Sequence, residues 1–77
     1  MVEQLEILAA SPHGWARERA AVALEMYRAH QAGGISDEEY MELMQDLVRS
    51  DRLDAVADDL ETKAMLVTAV YAAANLI

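Results

Sequence analysis

The sequence predicts an all-α fold, a small helical bundle of three to five helices completed by self-association, and three observations carry that reading. Hydrophobic residues fill 55% of the 77 positions, yet there is no Phe and much of that fraction is Ala, the best helix former. Val, Ile, Thr and Tyr nowhere alternate with polar residues over a strand's length, and one Pro with three Gly supplies few turns for a sheet. Apolar positions recur instead at three- and four-residue spacing. No linker or internal repeat divides the chain, so residues 1–77 read as one domain.

Val2, Leu5, Ile7, Leu8 and Ala9 form the first apolar-periodic stretch, a helix near 2–10, closed before Ser11 because a residue preceding proline avoids the helical region. Ser11 then reads as an N-cap with Pro12 at the first helical position, where its missing N–H costs nothing. The helix they open carries Trp15, Ala16, Ala20, Ala23, Leu24 and Tyr27 and ends near Ala32, ahead of the terminator Gly33-Gly34. Its Ala face allows a close neighbour, while Trp15 and Tyr27 supply most of its large apolar area.

The strongest local signal follows. Ser36 and Glu39 have capping-box spacing, and Ile35 and Tyr40 have hydrophobic-staple spacing, so two devices mark one helix start. Tyr40, Leu43, Met44, Leu47 and Val48 then form an apolar stripe in a third helix near 37–49, with Glu38, Glu42, Gln45, Asp46 and Arg49 outside it. Beyond Ser50 two readings stay open. A short helix, a bend and a last helix beginning at Asp58-Asp59 is preferred; a single unbroken helix from Asp51 is the alternative, since neither Gly nor Pro interrupts that span. From Ala64 to Ile77 no residue is charged and apolar positions cover every side of the helix, which predicts burial nearly all round. These 14 residues fall short of the roughly 20 a membrane span needs.

Net charge is −8, and all of it lies between Ser36 and Glu61, where ten acids face Arg49 and Arg52. Such a chain repels phosphate backbones and anionic headgroups, which argues against direct nucleic-acid or membrane binding. Glu3 and Glu6 stand where a secretory signal would need basic residues, so the expected compartment is the cytoplasm. With no Cys, neither a disulfide nor a thiolate metal site can staple so small a core. Oligomerisation is the staple left.

Little in the chain resembles chemistry. His13 and His30 stand near opposite ends of one helix and cannot share a metal within a subunit. Asp58, Asp59 and Glu61 lack the spaced ligands and Gly of a calcium loop and read as helix-capping acids. Ser11, Ser36 and Ser50 fall where caps are needed, and none has a nucleophile's context. Gly14, Gly33 and Gly34 are too scattered to cradle a phosphate. Met1, Met26, Met41, Met44 and Met65 suit an adaptable partner groove, but more often such residues fill a core. No enzyme, metal or cofactor is expected.

Residues 26–48, with Gly33-Gly34-Ile35-Ser36-Asp37-Glu38-Glu39-Tyr40 at the centre and Leu43 and Leu47 after it, resemble the short helical hairpin of SHOCT domains, without the usual basic residues in the second helix. That resemblance implies a small interaction or oligomerisation module. Leu5 to Leu24, with Ser11-Pro12 and Arg17 before Ala20-Ala21, is similar to one HEAT repeat, which implies a local helix pair because a solenoid needs about three or more units. A short acidic helical chain of this kind is also similar in class to small phage proteins.

Two functions follow as expectations. The first is a non-catalytic structural or adaptor protein, a homo-oligomer and most simply a dimer, joined through Met65, Leu66, Val67, Val70, Tyr71, Leu76 and Ile77. The second is an acidic regulator or inhibitor whose Asp37, Glu38, Glu42, Asp46, Asp54, Asp58 and Asp59 occupy a basic surface on a host enzyme or nucleic-acid-binding protein. The capping box is testable by itself. Ser36→Ala should cost about 1 kcal/mol, because an orphan helix N–H loses its acceptor; a variant with an unchanged melting temperature and intact helicity would remove the motif.

Overall fold

The computed structural model describes residues 2–75, with the backbone alone at Ser50, and among them every regular element is a helix: α1 (Glu3–Leu8), α2 (Gly14–Gln31), α3 (Asp37–Leu47), α4 (Ser50–Val56) and α5 (Leu60–Ala74). Helices α1, α2 and α3 each pack against α5, and α2 also packs against α1 and α3. The last long helix is thus the post around which the chain is wound.

Helix α1 buries Leu5 and Leu8 and leaves Ile7 exposed, as the three-residue spacing requires. Helix α2 starts two residues later than the Ser-Pro pair predicts, at Gly14 with His13 as its N-cap. Ser11 is drawn into a local turn instead. Its Oγ accepts the His13 N–H at 3.1 Å, and Arg17 donates to the Ser11 carbonyl at 3.0 Å, so Pro12 and His13 belong to the turn.

The buried face of α2 is Ala16, Ala20, Ala23 and Leu24, with Trp15 and Tyr27 half-buried at its margins. Gly33 ends the helix with φ +79°, and the Gly33 and Gly34 amides donate to the carbonyls of His30 and Ala29 at 3.0 and 2.8 Å. This is a Schellman closure, and the positive φ is the reason for a glycine there.

Helix α3 starts as its sequence predicts. Ser36 Oγ accepts the Glu39 N–H at 3.1 Å, and Glu39 Oε1 accepts the Ser36 N–H at 3.3 Å. Its inward stripe is Tyr40, Met44 and Val48, with Leu47 partly covered and Leu43 left 40% exposed at the edge. After Val48 and Arg49 the chain turns into α4, whose Leu53 is fully buried. The three residues 57–59 then separate α4 from α5, so the broken reading of this span holds.

Helix α5 buries Leu66, Ala69, Val70, Ala73 and Ala74. It is not covered all round: Ala64, Met65, Thr68, Tyr71 and Ala72 face solvent. Absence of charge misleads here because Ala and Thr tolerate water, so an uncharged segment need not be a buried one. Among the described residues the polar side-chain atom tied into the core is the Tyr40 hydroxyl, which donates to the Ala73 carbonyl at 2.9 Å. Ala73 is in the last turn of α5, and α3 supplies its carbonyl with a side-chain donor.

Tyr40→Phe should take the hydroxyl donor from this buried carbonyl and cost roughly 1–2 kcal/mol. For a domain of this size that is a fall in melting temperature of roughly 5–15 °C. A variant melting with the parent would show that the hydroxyl does not hold the α3–α5 contact.

Candidate functional site

The residues expected to mediate self-association are divided by the fold. Leu66 and Val70 are fully buried in the chain's own core, and Val67 packs partly against it. Met65 and Tyr71 are 37% and 44% exposed, while Leu76 and Ile77 lie outside the described residues. The solvent side of α5 is Ala64, Met65, Thr68, Tyr71 and Ala72, bounded by Glu61 at one end and Asn75 at the other. Leu60, 80% exposed, precedes that side. A depression of about 340 Å³ lies between this side of α5 and α1, lined by Gln4, Ala64, Met65, Thr68, Ala69 and Ala72. Sequence reading missed Ala64, Thr68 and Ala72 because they are small. Once Leu66, Val70 and Ala73 are known to point inward, the helical period places these three outward.

The expected acidic surface is also divided. Asp37, Asp46, Asp54, Asp58 and Asp59 each have a partner within the chain. His30 Nε2 lies 2.6 Å from Asp37, and Asp46 is 3.7 Å from Arg49 and 3.5 Å from Arg52. Lys63 pairs with Asp54. Trp15 Nε1 donates to Asp58 at 3.0 Å, and the His13 ring stands between Asp58 and Asp59 at 3.6 and 3.5 Å. These last contacts clasp the α4–α5 connection to the start of α2. Glu38 and Glu42 stand one turn apart on α3, exposed and without a cation among the described residues. The broad depression of about 550 Å³ beside them, lined by Glu42, Leu43, Gln45, Asp46 and Arg49, runs along α3 to the N-cap of α4 and is open to solvent.

Both histidines serve the fold. His30 stacks on Tyr40, ring centroids 4.5 Å apart and planes 14° from parallel, while it pairs with Asp37. Burial, and then the neighbouring Tyr27, hold the Tyr40 hydroxyl above its ordinary pKa, so it stays a neutral donor. No group of three or more His, Cys, Asp or Glu with metal-binding geometry occurs among the described residues. No described helix is long and apolar enough to cross a membrane. Met44 is core, and Met26 packs on it, whereas Met41 and Met65 stay partly open.

Comparison with known proteins gives no match among family models, curated proteins or solved structures.

The acid clasp has a pH signature. The Thr62 hydroxyl, donated to Asp59, is the main reason this carboxyl sits below the ordinary aspartate value, and the His13 charge adds to it. A depressed folded pKa means the stabilisation is complete above the unfolded value, about pH 4, and is lost as pH falls through the lower folded value. Thr62→Val should move the Asp59 titration, followed by carboxyl NMR shifts, back up toward the ordinary value. An unmoved titration would show that Thr62 does not hold this carboxylate.

Proposed function

We propose that this protein is a non-catalytic structural or adaptor protein that self-associates through the solvent side of α5. The observation that carries the reading is a helix face uncharged from Ala64 to Thr68 and on through Tyr71, Ala72 and Asn75, on a chain of net charge −8. Two copies repel one another over most of such a surface, and an uncharged face is where they meet without setting acid against acid. Met65, Tyr71 and Leu60 lie exposed on or beside it, and covering them returns apolar surface to a protein-like environment at roughly 25 cal/mol per Å². The hairpin likeness of residues 26–48 to SHOCT modules implies the same kind of role.

A second reading, an acidic regulator or inhibitor docked on a basic surface, has Glu38 and Glu42 behind it. It stands second because the other five of its seven acids already have partners in the chain: His30, Arg49 and Arg52, Lys63, Trp15 and His13.

Sedimentation or light scattering across a concentration series should give the mass of two subunits at tens of micromolar. Ala72→Glu, at an exposed position, should return the mass of one subunit with helicity unchanged. A wild-type mass of one subunit throughout that range would overturn the proposal, and salt-sensitive capture of basic proteins by that monomer would favour the second reading.

A further inference from the structure

We infer that two copies pair antiparallel along α5, with Thr68 on the two-fold axis. This rests on the self-association reading and specifies its geometry and register.

At about 100° per residue, the solvent side of α5 carries Glu61, Ala64, Met65, Thr68, Tyr71, Ala72 and Asn75. The order is symmetric about Thr68. Met65 and Tyr71 stand three residues to either side, Ala64 and Ala72 four, Glu61 and Asn75 seven. Met65 and Ala72 lie on one flank of the face, and Ala64 and Tyr71 on the other.

An in-plane two-fold axis perpendicular to α5 reverses the helix direction and keeps each flank on its own side. It sets Met65 of one copy over Ala72 of the other, and Tyr71 over Ala64, so each large side chain meets a small one. Ala72 also lines the depression between α1 and α5, and Met65 of the second copy therefore enters that space. An unbranched thioether suits such an irregular gap.

A parallel pair would keep a large-on-small fit, and charge decides between the two. Parallel pairing brings Glu61 level with Glu61 of the second copy, setting like charges together between chains that already carry −8 each. Antiparallel pairing brings Glu61 level with Asn75, whose amide is a donor for the carboxylate, and it does so twice. Small residues at four-residue spacing, Ala64, Thr68 and Ala72, let the axes lie about 10 Å apart without clash at the contact. With Cα atoms about 2.3 Å from each axis, the two Thr68 Cα atoms would then stand within disulfide reach.

The chain has no Cys, so introduced thiols report position without interference. Under mild oxidation Thr68→Cys should cross-link nearly completely into a dimer, and Glu38→Cys, on an exposed part of α3, should not. Glu61→Cys and Asn75→Cys should each stay uncross-linked, since symmetry-related copies are about 21 Å apart along the pair at 1.5 Å per residue. The double variant Glu61→Cys/Asn75→Cys should cross-link. Self-cross-linking of the Glu61→Cys single variant would show parallel pairing and overturn the inference. A dimer mass with Thr68→Cys left uncross-linked would place the contact on another face, ending this inference while self-association stands. A single-subunit mass at every concentration would end both.

Discussion

The Tyr40 hydroxyl on the Ala73 carbonyl is the contact on which the arrangement of this chain turns. One fully buried side chain donates to the last turn of α5, fills space between α3 and α5, and carries the stacked ring of His30 from α2. Three helices are therefore registered at a single residue. The geometry starts from the turn before it, because the capping box at Ser36 and Glu39 fixes where α3 begins and so which way Tyr40 points. A buried polar group costs stability unless it is satisfied, so this hydrogen bond favours one registration of α3 on α5 over its neighbours.

Around that point the core is built from modest pieces. Ala16, Ala20 and Ala23 on α2 and Ala69, Ala73 and Ala74 on α5 let helices come close, and Leu5, Met44, Leu53, Leu66 and Val70 fill what remains. Much of the chain's apolar content is spent as small residues, which accounts for a helical interior without Phe. The connection between α4 and α5 is held differently, by Trp15 and His13 reaching Asp58 and Asp59 and by Lys63 reaching Asp54. Polar clasps do there what packing does elsewhere.

Charge and shape then divide the surface. Most acids of the middle segment satisfy cations or donors of the same chain, while the solvent side of α5 stays free of charge between Glu61 and Asn75. In the pairing proposed above, that side is where another copy of a molecule at −8 would meet the least repulsion, with large residues set over small ones about Thr68. A structural or adaptor role needs no more chemistry than this.

Local signals were legible in the sequence wherever the physics is local. The capping box at Ser36, the Schellman glycine at Gly33 and the stripe of Tyr40, Met44 and Val48 all follow from neighbours within one or two turns, whereas the break at residues 57–59 was one of two readings the local pattern left open. Ser11 and Ser50 were local exceptions: the Ser11 hydroxyl had two competing uses and the turn won over the cap, while α4 takes Arg49 as its N-cap and Ser50 as its first helical residue. What the sequence by itself could not decide was which side of α5 would be buried. With residues 64–77 uncharged on every side, no hydrophobic stripe distinguishes Leu66 and Val70 from Met65 and Tyr71. That choice was made by where α1, α2 and α3 come to rest on the helix, and their positions depend on contacts between residues as far apart as Tyr40 and Ala73, which no local period encodes.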